Sequence, residues 1–194
     1  MLTTIESLRK RCGLDAFDTV QDDLLTAFEG LVRARFEKDM NRVLERAAGA
    51  LEVCQGDAVS VAPARVPIEV VSAWETKASE ALGWVAVTGV DYLIAAGGTL
   101  IRLASPVGTR EELLRVTYAG GYVLPGGTVG EGQAALPGEI EAAVLLQVAY
   151  MFQQRDKLGI ITQWDAGSTY RQFAKQDLLP EVAAVVGKYR RYTL

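Results

Sequence analysis

The stretch "LLRVTYAGGYVLPGG", residues 113–127, decides how the chain is organised. It begins as an apolar, β-rich run, which predicts a buried strand. It then passes through Gly120 and Gly121, where the absence of side chains permits a sharp reversal. Tyr118 and Tyr122 flank this bend, and their amphipathic rings suit the seam between a sheet and a helix. The sequence therefore predicts a strand that ends in a tight turn flanked by tyrosines.

Upstream of this strand, the chain has the pattern of a small antiparallel sheet. Short β-rich runs between residues 58 and 119 are separated by turn residues, and Gly97-Gly98 is a two-residue hairpin signal. The expected strands are "IEVVSAWE" (68–75), "GWVAVT" (83–88), "DYLIA" (91–95), the run after Gly98, and "LLRVTYA" (113–119).

Helical patterns flank the sheet on both sides. Residues 3–12 predict a short helix, capped by Thr3 or Thr4 and ended by Gly13. A long helix of about 28 residues is expected between Asp18 and Gly49, because apolar residues recur every three or four positions. That apolar face consists of Leu25, Phe28, Val32, Phe36, Met40, Val43 and Ala47.

Two further helices are expected after the bend. A loose glycine-rich loop, residues 125–135, leads to Leu136-Pro137, where proline suits the first helical position. Residues 160–177 predict a surface loop anchored by Trp164 and Tyr170, and Pro180 starts the last helix. The expected fold class is α+β: a mainly helical core, 1–57 and 120–194, with a small antiparallel β insertion, 58–119. The whole is effectively one domain.

The amino-acid composition excludes several kinds of function but does not identify one. The 194 residues include no histidine and two cysteines, and the net charge is −4. Histidine-based catalysis and ordinary zinc sites within one chain are therefore excluded, and a basic nucleic-acid-binding face is not indicated. Cys12 and Cys54 are expected to be free thiols. The first residues lack the apolar segment of a signal peptide, and no stretch is long enough to span a membrane.

Motif by motif, no catalytic, cofactor-binding or metal-binding residue is indicated, so the protein is expected not to be an enzyme. "GGTVGEG" lacks the Gly-Lys-Ser/Thr ending of a phosphate loop, and the acidic doublets point in different directions. The ending "GKYRRYTL" is more suggestive, because Tyr189, Arg190, Arg191 and Tyr192 are residue types that favour protein interfaces. Docking to a partner, a frayed tail and nucleic-acid stacking remain alternatives for it.

The order and spacing of these segments resemble one family, the tailed-phage head–tail connector proteins, also called head-completion or adaptor proteins. The resemblance covers most of the chain and is strongest in residues 113–156. It rests on a Val-Thr-Tyr-x-x-Gly-Tyr segment, a Leu-Pro helix with arginine at its end, and a short last helix. The matching positions are Val116, Thr117, Tyr118, Gly121, Tyr122, Leu136, Pro137 and Arg155. The large β segment and the glycine-rich insertion depart from the family pattern.

The resemblance implies a structural protein of a phage or prophage neck. Such a protein would form a ring of about twelve copies under the portal, above a downstream neck or tail protein. DNA would pass through the channel without specific contacts. The protein would reside in the virion neck, and in the host cytoplasm during assembly. Expected interface residues are Tyr118, Gly121, Tyr122, Leu136, Pro137 and Tyr189–Tyr192. The alternatives are a stopper or tail-completion protein, a small carboxylate- or tyrosine-dependent enzyme, and a non-phage binding module that presents the β segment.

Overall fold

Helices occupy the two ends of the chain, and strands fill its middle. The computed structural model describes residues 1–155, 162–164, 170–172 and 177–191, with only the backbone described for the two short central segments. Within these ranges the helices are Ile5–Cys12 (α1), Asp22–Met40 (α2), Gly138–Gln153 (α3) and Pro180–Lys188 (α4). The strands are Ala47–Gln55 (β1), Ser60–Val61 (β2), Ile68–Lys77 (β3), Val85–Val87 (β4), Tyr92–Ala95 (β5), Leu100–Leu103 (β6), Leu113–Gly120 (β7), Tyr122–Val123 (β8), Ala134–Ala135 (β9), Thr162–Trp164 (β10) and Tyr170–Gln172 (β11).

The chain divides into two compact units. Unit 1 comprises Met1–Met40 and Pro137–Arg190, and it contains α1 to α4. Unit 2 comprises Asn41–Leu136 and the C-terminal residues from Arg191, and it contains β1 to β9.

In unit 1, α3 is the helix against which the others pack. It contacts α1, α2 and α4, and Ile140, Val144 and Val148 on it are completely buried. The buried Gln147 has a specific partner, because its side-chain oxygen accepts the backbone N–H of Leu179 at 3.0 Å. This bond fixes the chain directly before α4, a helix whose start has no side-chain cap.

In unit 2, two antiparallel sheets share one hydrophobic core. The first has the strand order β1-β7-β3-β4 and the second the order β2-β6-β5. Trp74 of β3 packs against Tyr92 of β5 with ring centroids 5.5 Å apart, which joins the two sheets. The buried residues of this core are Ala50, Val61, Val66, Ile68, Val71, Trp74, Ile101, Leu103, Leu114, Val116 and Tyr118.

The expected fold class, a mainly helical core with a small inserted β module, is wrong. The strands of unit 2 build an antiparallel sheet core of their own, which includes a strand upstream of the expected insertion. The strands expected at 68–75, 91–95 and 113–119 are confirmed, and so is the Gly97-Gly98 hairpin between β5 and β6. The grouping into effectively one domain stays a prediction.

The long helix is also shorter than expected. The structure starts α2 at Asp22 and ends it at Met40, after which Asn41 adopts a left-handed backbone with φ 52°. Residues 47–55, expected in or just after the helix, instead form β1. The apolar pattern of this strand is inverted: Leu51 and Val53 are exposed, whereas Glu52 and Cys54 point inward. Because polar groups point inward in β1, its sequence lacks the apolar–polar alternation that would predict a strand. Val43 and Ala47 fit the helical spacing of the residues before them, so the sequence predicts a longer helix.

The helices predicted from short local signals in the sequence are confirmed. Helix α1 is confirmed, with the Thr4 hydroxyl accepting the Ser7 N–H and Gly13 ending the helix at φ 74°. The helices after Pro137 and at Pro180 are confirmed as α3 and α4. The loop expected at 160–177 falls mostly outside the described residues, apart from Asp177 and the backbone hairpin in which Trp164 pairs with Tyr170.

The core of unit 2 is tested by two leucines on paired strands. Leu114→Ala removes a completely buried side chain, so we expect a loss of about 2–5 kcal/mol in the free energy of unfolding. Leu51→Ala, at a position 57 % exposed, is the control and is expected to change it by less than about 0.5 kcal/mol. Urea unfolding followed by circular dichroism measures both. Equal losses would contradict the assignment of the inner and outer sheet faces.

Candidate assembly interface

The glycines of the bend are required by close backbone approach. Gly121 has φ 99°, and a Cβ there would lie 2.8 Å from the carbonyl oxygen of Glu45. A Cβ at Gly120 would lie 2.7 Å from the carbonyl oxygen of Arg65. The Gly121 N–H also donates to the carbonyl of Pro67 at 2.9 Å. The end of β7 is therefore held between the segments that lead into β1 and β3, where no larger residue fits.

The two tyrosines beside the bend belong to the interior of unit 2. Tyr118 is 1 % exposed, and its hydroxyl accepts the Arg65 N–H at 3.1 Å. Burial raises the pKa of this hydroxyl above its ordinary value, so it stays protonated. Tyr122 is also buried, and its N–H donates to the carbonyl of Leu44 at 2.8 Å. Both residues serve packing, and their part in assembly stays a prediction.

The Leu136-Pro137 pair lies at the start of α3. Leu136 is buried in unit 2, and its N–H donates to the carbonyl of Val123 at 3.1 Å. Pro137 is the residue before the first turn of α3, and its carbonyl accepts the Ile140 N–H at 2.9 Å. Proline suits this place because its missing N–H would have no partner within the helix.

In unit 1, the end of α4 is tied to the start of α3 by one carboxylate. The Lys188 ammonium donates to Glu139 at 2.7 Å and 2.9 Å, and the Tyr189 hydroxyl also donates to it. These hydrogen bonds, first that of Lys188, hold the pKa of Glu139 below its ordinary value. Arg190, the next residue, is exposed.

Arg191 is fixed within unit 2. Its guanidinium lies 3.5 Å from Glu52, and its side chain is 15 % exposed. The second oxygen of Glu52 accepts the Ala64 N–H at 2.9 Å, so this inward-facing carboxylate holds two partners. Tyr192 lies outside the described residues. Of residues 189–191, Arg190 is exposed, whereas Tyr189 and Arg191 are partly buried. The part of the nine expected residues in assembly stays a prediction.

Sequence reasoning missed two strongly exposed apolar residues between α1 and α2. Phe17 is 92 % exposed and Val20 is 82 % exposed. The only signal in the sequence is their position in "GLDAFDTVQDD", where large apolar side chains alternate with aspartates and fit no helical face. Single exposed apolar residues are common on protein surfaces, so the exposure of this pair makes it a candidate for a contact surface and does not by itself identify one.

The described residues provide little for catalysis. Among them, no group of three or more acidic or cysteine side chains is placed to hold a metal ion. Both cysteines are free and partly buried; burial, with the nearby Glu52, raises the pKa of Cys54 to about 11, which makes its thiol unreactive at neutral pH. In the same ranges, no helix combines the length and the apolar character needed to cross a bilayer.

The fold matches solved structures over almost its whole length. A chain in the neck of an empty GTA particle, computed with C6 symmetry, has a TM-score of 0.63 at 15 % identity, covering 98 % of this chain and 90 % of that chain. The chain shares its fold with this chain of a GTA particle neck. A chain in the virion of a native gene transfer agent (GTA) particle gives a TM-score of 0.60 at 15 % identity, with the same coverage. A chain in the neck of a native GTA particle, computed with C12 symmetry, gives 0.56 at 16 % identity, covering 97 % and 91 %.

These structures agree with the resemblance found in the sequence. No protein-family profile and no curated protein matches the chain. Two of the three structural neighbours are chains in particle necks, which agrees with the resemblance of the sequence to head–tail connector proteins.

The glycine bend is tested by a matched pair of alanine substitutions. Gly121→Ala introduces both a left-handed alanine and a backbone overlap, so we expect a loss of about 2–5 kcal/mol in unfolding free energy. Gly126→Ala, at φ 88° but with open space around it, is expected to cost only about 1–2 kcal/mol. Urea unfolding measures both. Equal effects would show that close approach does not matter at this bend.

The Glu139 contacts are tested by pH. A carboxylate whose pKa is lowered by folding stabilises the native state above its ordinary pKa of about 4.3, and this contribution disappears as pH falls through the lowered value. Wild type should therefore exceed Glu139→Gln in stability at pH 7, and the difference should vanish at low pH. Glu131→Gln, in an exposed loop, is the control. A difference that does not decrease as the pH falls would contradict the charged role of Glu139.

Proposed function

We propose that this protein is a structural component of the neck of a phage or a phage-like particle, where it acts as a ring-forming head–tail adaptor. The observation that carries the proposal is the shared fold with a chain of a particle neck, which spans 98 % of this chain and 90 % of that one. The same observation supports the virion neck as the place of action. Assembly in the host cytoplasm is part of the proposal.

The symmetry of the neighbouring structures supports a ring. Two of those necks were computed with C6 and C12 symmetry. Cyclic assemblies use heterologous interfaces, in which one surface of a subunit meets a different surface of the next. We propose a ring of about twelve copies of this chain, docked under the portal and above a downstream neck or tail protein.

The charge of the chain suits a channel that DNA passes through. The net charge is −4, so the surface has no overall attraction for phosphates. A channel wall without net positive charge lets DNA pass without binding it. DNA is therefore a passing contact and not a specific ligand.

Within the C-terminal stretch, Arg190 is the residue best placed to meet the portal. Its neighbours are occupied, since Tyr189 binds Glu139 and Arg191 lies beside Glu52. Arg190 is exposed between these two fixed residues, and arginine is a favoured anchor at protein interfaces.

Assembly of the purified full-length protein tests the proposal. Light scattering over a concentration series and negative-stain electron microscopy should show closed rings with a central hole, either alone or after mixing with the portal protein of the same particle. Arg190→Ala should weaken portal binding by about tenfold or more while leaving rings intact. Lys10→Ala, at an exposed position on α1, is the matched control. A protein that stays monomeric at every concentration and does not bind the portal would overturn the adaptor function.

A further inference from the structure

The loop between α1 and α2 exposes two large apolar side chains. This Phe17 loop comprises residues 14–21, and within it Phe17 and Val20 are 92 % and 82 % exposed. Neither side chain takes part in the core of unit 1. Burying a phenylalanine and a valine against another surface would remove a large apolar area from water.

The Phe17 loop is held in one conformation. The buried Arg9 donates to the carbonyl of Ala16 at 2.7 Å and also pairs with the Asp22 carboxylate. Asp15 accepts the Phe17 N–H at 2.9 Å, and Asp18 accepts the Val20 N–H at 3.0 Å. A loop fixed in this way loses little conformational entropy when it binds, which favours its use as an anchor.

The outer face of α2 offers an exposed surface to which such side chains could bind. After Asp23, its exposed residues form one strip along the helix and are mostly small. A Cβ added at Gly30 would meet no atom within 4 Å, so the surface there is open, and Leu31 beside it is 62 % exposed. This α2 strip consists of Thr26, Ala27, Gly30, Leu31, Ala34, Arg35 and Lys38.

The charges of the two surfaces are also complementary. The Phe17 loop contains Asp15 and Asp18 and no lysine or arginine. The α2 strip ends in Arg35 and Lys38. Arg35 is paired with Asp39 at 2.5 Å and with Asp177 at 3.3 Å. The exposed Lys38 therefore supplies the positive charge that the loop aspartates can meet. Opposite charge at the rim of an apolar contact selects the partner and fixes its register.

We propose that the Phe17 loop of one copy packs on the α2 strip of the next copy, and that this contact closes the ring. The inference rests on the proposed function, because it supplies the heterologous interface that a cyclic assembly needs. The two surfaces are distinct: Leu31 lies about 14 Å along the helix axis from the start of α2, where the loop ends. Each copy therefore uses two different surfaces, the Phe17 loop and the α2 strip. When one of them binds a neighbour, the other stays free for the next copy.

Cysteine cross-linking tests the contact directly. In a full-length chain with Cys12→Ser and Cys54→Ser, the pair F17C and A34C should form disulfides between copies on mild oxidation. Denaturing gels would then show a ladder of covalent oligomers. The pair L51C and A34C, which places the first thiol at an exposed position of β1, is the control and should give at least tenfold less product.

Assembly of surface variants gives a second, independent measurement. Phe17→Ser with Val20→Ser should leave the melting temperature unchanged, because both side chains are already exposed, and should raise the concentration needed for rings at least tenfold. Leu51→Ser with Val53→Ser is the matched control. Lys38→Glu should weaken assembly, because it places a negative charge opposite Asp15 and Asp18 of the Phe17 loop.

The outcomes separate this inference from the proposed function. Rings that form without F17C–A34C cross-links, or that survive the double serine variant, would overturn the Phe17 contact and leave the adaptor function standing. A wild-type protein that forms no ring, alone or on the portal, would overturn both.

Discussion

The pairing of β7 on both of its edges is the constraint on which unit 2 depends. β1 and β3 each hydrogen-bond along this strand, and its buried side chains Leu114, Val116 and Tyr118 supply the middle of the core. The strand ends at Gly120 and Gly121, because backbone from the segments before β1 and β3 closes over that end. A side chain at either glycine would push these segments apart. The two glycines therefore determine both the turn after β7 and the pairing of β7 with β1 and β3.

Polar contacts fix the irregular parts of the molecule in a similar way. In unit 1, Arg9 holds the α1–α2 loop, Gln147 holds the start of α4, and Glu139 holds its end. In unit 2, Glu52 holds Arg191 and the backbone of Ala64. Each of these side chains ties a loop or terminus to a regular element. Exposed residues carried by such fixed segments, Phe17 and Arg190 among them, are presented in a defined position, which lowers the entropy lost when they bind a partner.

The agreement with GTA neck chains at 15 % identity shows which features of the sequence matter for the fold. An antiparallel sheet needs apolar residues on its inner face, and a helix needs an apolar stripe, but neither needs particular residues. For this reason, the order and spacing of the segments can indicate the fold even though each single motif is weak. This also explains why the sites of contact cannot be carried over from those chains, since surface residues are free to differ.

The sequence by itself determined the elements whose signals are local. Thr4 and Gly13 define α1, Pro137 and Pro180 mark the starts of α3 and α4, and Gly97-Gly98 marks a hairpin, because caps and turns depend on neighbouring residues. Only the tertiary structure decided that residues 47–55 form an edge strand and that sheets build a core of their own. Glu52 and Cys54 face inward there because Arg191, distant in sequence, pairs with Glu52. A local sequence pattern cannot predict a partner so distant in sequence. It cannot predict the exposure of Phe17 either, because that exposure depends on how the rest of unit 1 packs.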